Sequence, residues 1–177
     1  MGERGVSFRS YRNGDRIDLT PESSVQAQKA FGADIIIPLD ELPPLGVSRE
    51  RLVRSVALSH RWEARSLREH LKSRKGQAMY GVVHGGTDLS LRSLSASALG
   101  ELPFDGYAVG GSLGRDRAEA FEVVAHTLAA LPRDKPNHLL GMADPESVER
   151  GAALGVDTCE ISPRYIAERC IAGPGSR

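Results

Sequence analysis

The sequence predicts an α/β fold, a partial (β/α)8 TIM-type barrel of about five parallel strands with a hairpin in front, and three observations lead there. After the first twenty residues, short apolar runs alternate with longer amphipathic segments, the order of strands joined by helical crossovers. No GxGxxG or GxxxxGKS/T turn follows any run, so the nucleotide fingerprints of open doubly wound sheets are missing. The polar residues gather where the runs end, at Asp40-Glu41, His84-Gly85-Gly86, Gly110-Gly111-Ser112, Asp144 and Glu160. Alternation alone fits an open sheet equally well, but in a barrel all these ends share one mouth, where sites of that architecture lie.

Val6 to Tyr11 and Ile17 to Leu19 flank Asn13-Gly14, a dipeptide that accepts positive φ, so the chain starts as a β-hairpin with a type I′ turn. Thr20-Pro21 opens a helix, with a hydroxyl to cap it and proline in its first turn, and Gly32 suits its end. Asp34 to Leu39 reads as a buried strand, because Ile35, Ile36 and Ile37 offer water no polar face. A long helix from about Ser48 to Arg74 follows, then a strand at Met79 to His84, a helix near Leu89 to Leu99 and a strand at Gly106 to Val109. Arg115 to Leu131 carries Phe121, Val124, Leu128 and Leu131 on one helical face. The strand His138 to Met142 precedes Asp144-Pro145, a cap followed by proline; Gly155 closes that helix, and Val156 to Ile161 is the last strand.

A full barrel has eight strands and typically about 250 residues, so the 177 residues here, read as a single domain over 1–177, cover part of one. With 23 basic and 23 acidic side chains the charge is balanced, which gives no global reason to bind nucleic acid or membrane; an RNA contact needs a local patch. Cys159 and Cys170 stand apart from any CxxC or Cys/His cluster, indicating neither a metal site nor a disulfide framework. No run approaches the roughly 18 apolar residues of a membrane span, and the start has no apolar leader. The expectation is a reducing, cytoplasmic compartment, with an organelle reached through a lost transit peptide as the alternative.

Each candidate residue has a plainer reading beside it. Asp40-Glu41 follows an apolar β-branched run and would set two carboxylates on the rim of a cavity, where an acid accepts from the donor edge of a base; a solvated loop before Pro43-Pro44 is the competitor. Gly85-Gly86 and Gly110-Gly111 each follow a strand, where glycine lets a flat ligand approach the backbone, and tight turns explain them as well. His84 offers a donor or an acceptor at the same mouth, against a structural role. Glu160 ends the last strand and can act as nucleophile, acid or base, or face solvent. Nine Lys/Arg against three Glu between Arg49 and Lys75 could draw phosphates but fit the wet face of an amphipathic helix better, and Trp62 fits packing better than base stacking.

Several strings, in order and at similar spacing, resemble the queuine/archaeosine tRNA-ribosyltransferases, the tRNA-guanine transglycosylases. They are Gly5-Val-Ser-Phe-Arg-Ser, Leu39-Asp-Glu, Tyr80-Gly-Val-Val-His-Gly-Gly, Phe104-Asp-Gly-Tyr-Ala-Val-Gly-Gly-Ser-Leu-Gly, Asp134-Lys-Pro, His138-Leu-Leu-Gly and Gly155-Val-Asp-Thr. The resemblance runs from about Gly5 to Glu160 and is most specific from Phe104 to Gly114. It implies base exchange in tRNA: a carboxylate attacks the ribose anomeric carbon, guanine leaves, and a queuine-type 7-deazaguanine base displaces the enzyme. The covalent step divides one hard substitution into two easier ones, and a base removed from its stack is held by hydrogen bonds to its edge.

Carried over by position, the resemblance makes Asp40 the base-recognising aspartate and Gly110-Gly111 the glycines whose backbone meets the base. His84 falls where many members have glutamine and one bacterial branch has histidine. Glu160 takes the nucleophile position, where the family has Phe-Asp and this chain has Cys159-Glu160. The extra methylene is expected to cost rate, since a misplacement of about 1 Å costs on the order of a hundredfold. Ser162 to Arg169 matches the family's tRNA-gripping Pro-Thr-Arg string only with a one-residue deletion, which leaves Arg164 and Arg169 as the candidate tRNA contacts.

The family's proton-accepting aspartate and Ser-Gly-Gly-Phe loop would lie upstream of Gly5 and its Cys/His zinc site downstream of Arg177. The expectation is therefore no metal or cofactor in this chain, and weak or absent activity from it alone. The implied partners are tRNA, queuine or a related base, and a homodimer or a heterodimer with a related subunit, with no membrane. The competing expectation is a noncatalytic tRNA-binding or regulatory partner of an active transglycosylase.

Overall fold

Caps at regular intervals and apolar side chains at alternating positions set the course of the chain, whose computed structural model describes residues 1–160. Strands β1 (Val6–Arg9) and β2 (Arg16–Leu19) form an antiparallel hairpin with Val6 opposite Leu19. Helix and strand then alternate: α1 (Pro21–Phe31), β3 (Ile35–Ile36), α2 (Arg49–Leu71), β4 (Ala78–Val83), α3 (Leu89–Gly100), β5 (Gly106–Val109), α4 (Arg117–Ala129), β6 (Asn137–Leu139), α5 (Pro145–Leu154) and β7 (Thr158–Cys159). Every helix starts on a cap from its own sequence. Thr20, Ser48, Asp88, Asp116 and Asp144 accept from N–H groups of the first turn, each worth about 1 kcal/mol. Gly32 and Gly155, with φ of 75° and 97°, end α1 and α5 in the left-handed conformation that glycine adopts without strain.

The parallel strands lie in the order β3-β4-β5-β6-β7. That unbroken order decides what alternation alone leaves open. Right-handed crossovers that always advance in one direction put every helix on one side of the sheet, as in a barrel, whereas a doubly wound sheet reverses partway. Alternate strand residues then face the helices or the barrel interior. Met79, Val83, Tyr107, Val109 and Leu139 take the helix side and join Val25, Leu67, Phe104 and Val124 in two apolar clusters. By the same alternation Tyr80, Val82 and His84 share the interior side with Gly106, Ala108 and Gly110 of the next strand. The β5 row has to be small: a β-carbon on Gly106 would come 2.7 Å from the Tyr80 ring, and one on Gly110 would come 2.5 Å from Val82.

The hairpin turn and the first parallel strand depart from expectation. Of Asn13-Gly14 only Gly14 has positive φ, at 76°. A type I′ turn needs it at both positions, so the chain instead turns through the wider loop Tyr11 to Gly14, closed by the Ser10 N–H to the Asp15 carbonyl at 2.8 Å. The strand expected over Asp34 to Leu39 pairs with β4 only at Ile35 and Ile36, and Ile35 is 45% exposed, because among the described residues β3 has a neighbour on one edge alone. Past Ile36 a side chain replaces the strand partner. The Gln28 carboxamide donates to the Ile37 carbonyl at 2.8 Å and accepts the Ile37 N–H at 2.9 Å.

Candidate functional site

Where β3 leaves β4, ionisable side chains fill the gap. Glu63 of α2 is wholly buried and reaches between the two strands, its Oε2 accepting the Val82 N–H at 3.2 Å, a donor that a longer β3 would have met. Its Oε1 has no hydrogen-bond partner among the described residues and lies 3.6 Å from His84 Nε2. Asp40 Oδ2 approaches the same nitrogen at 3.3 Å. The His84 backbone N–H donates to Ser95 Oγ at 3.1 Å, and that hydroxyl also pairs with His60 Nε2 at 2.8 Å. The other ring nitrogen of His84, Nδ1, faces the glycine pair, 3.6 Å from where a β-carbon on Gly111 would sit.

Beneath them lies Arg92 of α3, fully buried. Its guanidinium gathers three loop and strand ends, donating to the carbonyls of Gly86 (2.8 Å), Val83 (2.8 Å) and Gly110 (2.7 Å). A planar fork with several donors suits this job, which a lysine cannot copy. The Gly110 carbonyl is thus committed to Arg92, while Gly111, at φ 82°, turns the chain in a conformation that favours glycine.

Burial governs the charges here. It pushes the Asp40 carboxyl up and the Glu63 carboxyl well up, the latter raised further by Asp40 nearby. Burial, then Arg92 and His60, hold the His84 imidazole down at about 3, and burial lowers Arg92 to about 10. Two acids beside one imidazole edge cannot both ionise cheaply. Glu63, sealed from water, is the one that keeps its proton; the Asp40 side chain is 32% exposed and can be solvated as an anion.

The remaining candidates separate clearly. Glu41 turns away from the mouth and binds Arg51, whose hydrogen bond holds its carboxyl below the usual range, while its backbone is fastened by Ser59 and Ser55 of α2. It clamps the β3–α2 loop. That loop folds back until Ser112 Oγ donates to the Pro43 carbonyl at 3.3 Å, closing a pocket of about 100 Å³ lined by Pro44, Val47, Leu52, His84, Gly86 and Gly111. Asp144 caps α5 and binds Arg117, so it belongs to the helix wall. Six of the nine basic residues between Arg49 and Lys75 are ion-paired within the chain, and Trp62 is buried with its N–H on the Glu3 carbonyl, so both plainer readings hold for this segment.

Glu160 keeps the β6 ladder through its N–H to the Leu139 carbonyl at 3.3 Å, and its side chain is exposed. Cys159 packs with the helix-side cluster, so alternation turns Glu160 to the interior side, the side of His84 and Gly110. Two strand spacings, roughly 10 Å, separate it from Gly110. Arg164 and Arg169 lie outside the described residues, as do Cys170 and the expected strand end at Ile161. A cavity of about 610 Å³ sits at the opposite end of the sheet against the connection from Leu131 to Asn137 and shares no residue with this site. Among the described residues no group of three or more His, Cys, Asp or Glu is arranged to hold a metal ion, and no helix is long and apolar enough to cross a membrane. Glu63 and Arg92 are the residues that sequence reasoning missed.

Compared with known proteins, residues 1–169 match the family model of queuine tRNA-ribosyltransferase. The chain is 57% identical over 160 residues to the queuine tRNA-ribosyltransferase of Protochlamydia amoebophila (strain UWE25), covering 90% of this chain and 41% of that protein. Its identity to the queuine tRNA-ribosyltransferase of Chlamydia caviae is 46% over 162 residues, 92% of this chain and 44% of that one. With Chlamydia abortus it is 46% over 160 residues, 90% and 43%. The chain therefore spans less than half the length of these relatives.

Proposed function

Because the chain belongs to the queuine tRNA-ribosyltransferase family, we propose that its strand ends hold the base in an exchange that replaces a guanine in tRNA by a queuine-type 7-deazaguanine base. The observation that carries this is the convergence of Asp40 and His84, 3.3 Å apart, beside Gly110-Gly111 at one end of the sheet. An ionised Asp40 accepts from the N–H edge of the base, His84 bonds its neighbouring polar atom, and the absence of a side chain at Gly111 lets the ring plane approach the backbone. Glu160, on the interior side of the same mouth, is the nucleophile: a carboxylate oxygen bonds to the ribose anomeric carbon as the bond to guanine breaks, and the incoming base reverses the step. The working place is the cytoplasm, where Cys159 stays a thiol.

A second reading is a noncatalytic tRNA-binding or regulatory partner of an active transglycosylase. It draws on the exposed Glu160 side chain, which stands one methylene longer than the aspartate that the resemblance implies there. Incubating the purified chain with a tRNA bearing guanine at its wobble position, followed by mass spectrometry, separates the two. An adduct lost in Glu160→Gln supports base exchange, whereas tRNA binding without an adduct supports the partner.

A further inference from the structure

A carboxylic acid fully buried on a helix, with one oxygen on a strand N–H and the other aimed at an imidazole, is placed to control that imidazole. We infer that Glu63 is a positioning residue: by donating to His84 Nε2 it leaves the ring proton on Nδ1, so that His84 presents a donor to the mouth and the site selects a 6-oxopurine edge. The ligand class rests on the base-holding role proposed above; the tautomer does not.

Hydrogen bonding leads to this arrangement. Glu63 Oε2 is occupied by the Val82 N–H, and Oε1 has no hydrogen-bond partner among the described residues and lies 3.6 Å from His84 Nε2. A protonated Glu63 therefore satisfies its own O–H by turning it onto Nε2, and closing the remaining distance needs a shift of only about half an ångström to reach ordinary bonding range. If Nε2 kept the proton for Asp40 instead, the buried Glu63 hydroxyl would be stranded, which costs about 1–3 kcal/mol. Asp40 loses nothing comparable, since its side chain is 32% exposed and reaches water. The other groups facing the pair are His60 on α2 and Arg92 on α3; neither takes a proton from Glu63, because burial depresses His60 and Arg92 is cationic.

The functional consequence is a matched pair. An acceptor at Asp40 beside a donor at His84 Nδ1 complements an N–H next to a C=O, the edge of guanine and its 7-deaza relatives. With the opposite tautomer both groups accept, and the carbonyl of such a base meets a lone pair.

Long-range proton–nitrogen spectra of the chain labelled with ¹⁵N-histidine, with His84→Asn to assign the signal, read the tautomer directly. The expected result near neutral pH is the Nδ1–H form in wild type, its retention in Glu63→Gln, whose carboxamide can donate to Nε2 and accept from Val82, and its loss in Glu63→Ala. An Nε2–H form in wild type overturns the inference, as does an unchanged spectrum in a folded Glu63→Ala. If Glu63→Ala does not fold, the wild-type and Glu63→Gln spectra decide alone. For the ligand, guanine is compared with 2,6-diaminopurine, which carries a donor where guanine has its carbonyl. Wild type and Glu63→Gln should prefer guanine by on the order of tenfold, or 1.4 kcal/mol. In wild type that preference should fall as rising pH strips Glu63, and in Glu63→Gln it should stay flat. Equal binding of both bases by wild type overturns the selectivity. Binding of neither removes the base-holding proposal and leaves the spectra to judge Glu63.

Discussion

The two ends of the same row of strand termini are built differently. At β4 and β5 the chain closes on itself: Arg92 ties three carbonyls, Glu63 fills the gap left by β3, and Ser95 holds the His84 backbone, all without water access. At β6 and β7 the groups are less enclosed: Glu160 is exposed and held by one backbone bond to Leu139, and the half-buried His138 is held by the Thr158 hydroxyl at 2.8 Å. The first end is fixed by desolvated polar groups, Arg92 alone among them charged, which become costly if a partner goes; the second keeps a carboxylate exposed. A recognition surface needs fixed donors and acceptors, and a group that must reach a reacting atom is better left unencumbered.

Replacing Arg92 by alanine should produce the largest effect, because it empties a fully buried site, strands the buried Gly110 carbonyl, releases the half-buried Gly86 carbonyl, and leaves the Val83 carbonyl with only the Gly110 N–H. A loss of about 2–5 kcal/mol is expected from urea denaturation, the unmet carbonyl and the cavity left by the side chain acting together. Arg92→Lys should recover only part of it, since a single ammonium cannot serve the whole fork. Glu160→Gln should leave the denaturation midpoint where it is. Equal losses at Arg92 and Glu160 would erase the contrast between the two ends.

The same contrast has a pH signature with two limbs. The folded His84 titrates at about 3, below the 6.5 of an unfolded histidine, so between those values the unfolded chain binds more protons and stability rises with pH. Glu63 is the reverse. Its folded value lies well above 4.5, so the native state holds the extra proton and stability falls as pH climbs past 4.5 toward that value. His84→Asn should flatten the acid limb and Glu63→Gln the alkaline one, as measured by midpoints across a pH series. A Glu63→Gln variant whose profile matched wild type would mean that Glu63 holds its proton no more tightly in the native state than in the unfolded one.

A smaller loss, about 1–3 kcal/mol, is expected for Gly110→Ala, whose β-carbon would press against Val82 at 2.5 Å and Leu140 at 3.0 Å. Thermal denaturation measures it. Because Val82 lies on the interior side with His84, Val82→Ala should offset part of the loss, and an additive double mutant would mean that the two do not share that face.

Most of the fold was legible because its signals are local. Thr20-Pro21 and Asp144-Pro145 start helices by chemistry confined to one turn, and Gly106 to Val109 is a strand with the expected limits. Asn13-Gly14 misled because the dipeptide permits a type I′ turn without requiring it. Asp40, His84 and the glycines were visible as polar punctuation at strand ends. Glu63 and Arg92 were not, since each hides among other charges on a helix. Yet both left a signal in spacing: Glu63 lies on the buried stripe Val56, Ser59, Glu63, Leu67, His70, and Arg92 lies beside Leu91, Ser95, Ala96 and Leu99. A charge in an apolar stripe is expensive unless something meets it, so it points inward to a partner. What spacing cannot supply is the partner's identity, which depends on β3 stopping after Ile36.

The outward face of α2 should respond least. Arg61 pairs with Glu3, both more than half exposed, and such pairs lose to solvent and side-chain entropy most of what they gain in attraction. Arg61→Ala should therefore leave the thermal midpoint within experimental scatter. Its effect on tRNA is the sharper question. With most of the helix's basic residues already committed to acids of the same chain, removing Arg61 should change neither tRNA affinity nor its dependence on salt, measured by fluorescence anisotropy over a salt series. A reduced salt slope would place a phosphate contact on the helix wall behind the dry end. The closed end would then serve the backbone as well as the base, and the division between a recognising end and an open reacting end would have to be redrawn.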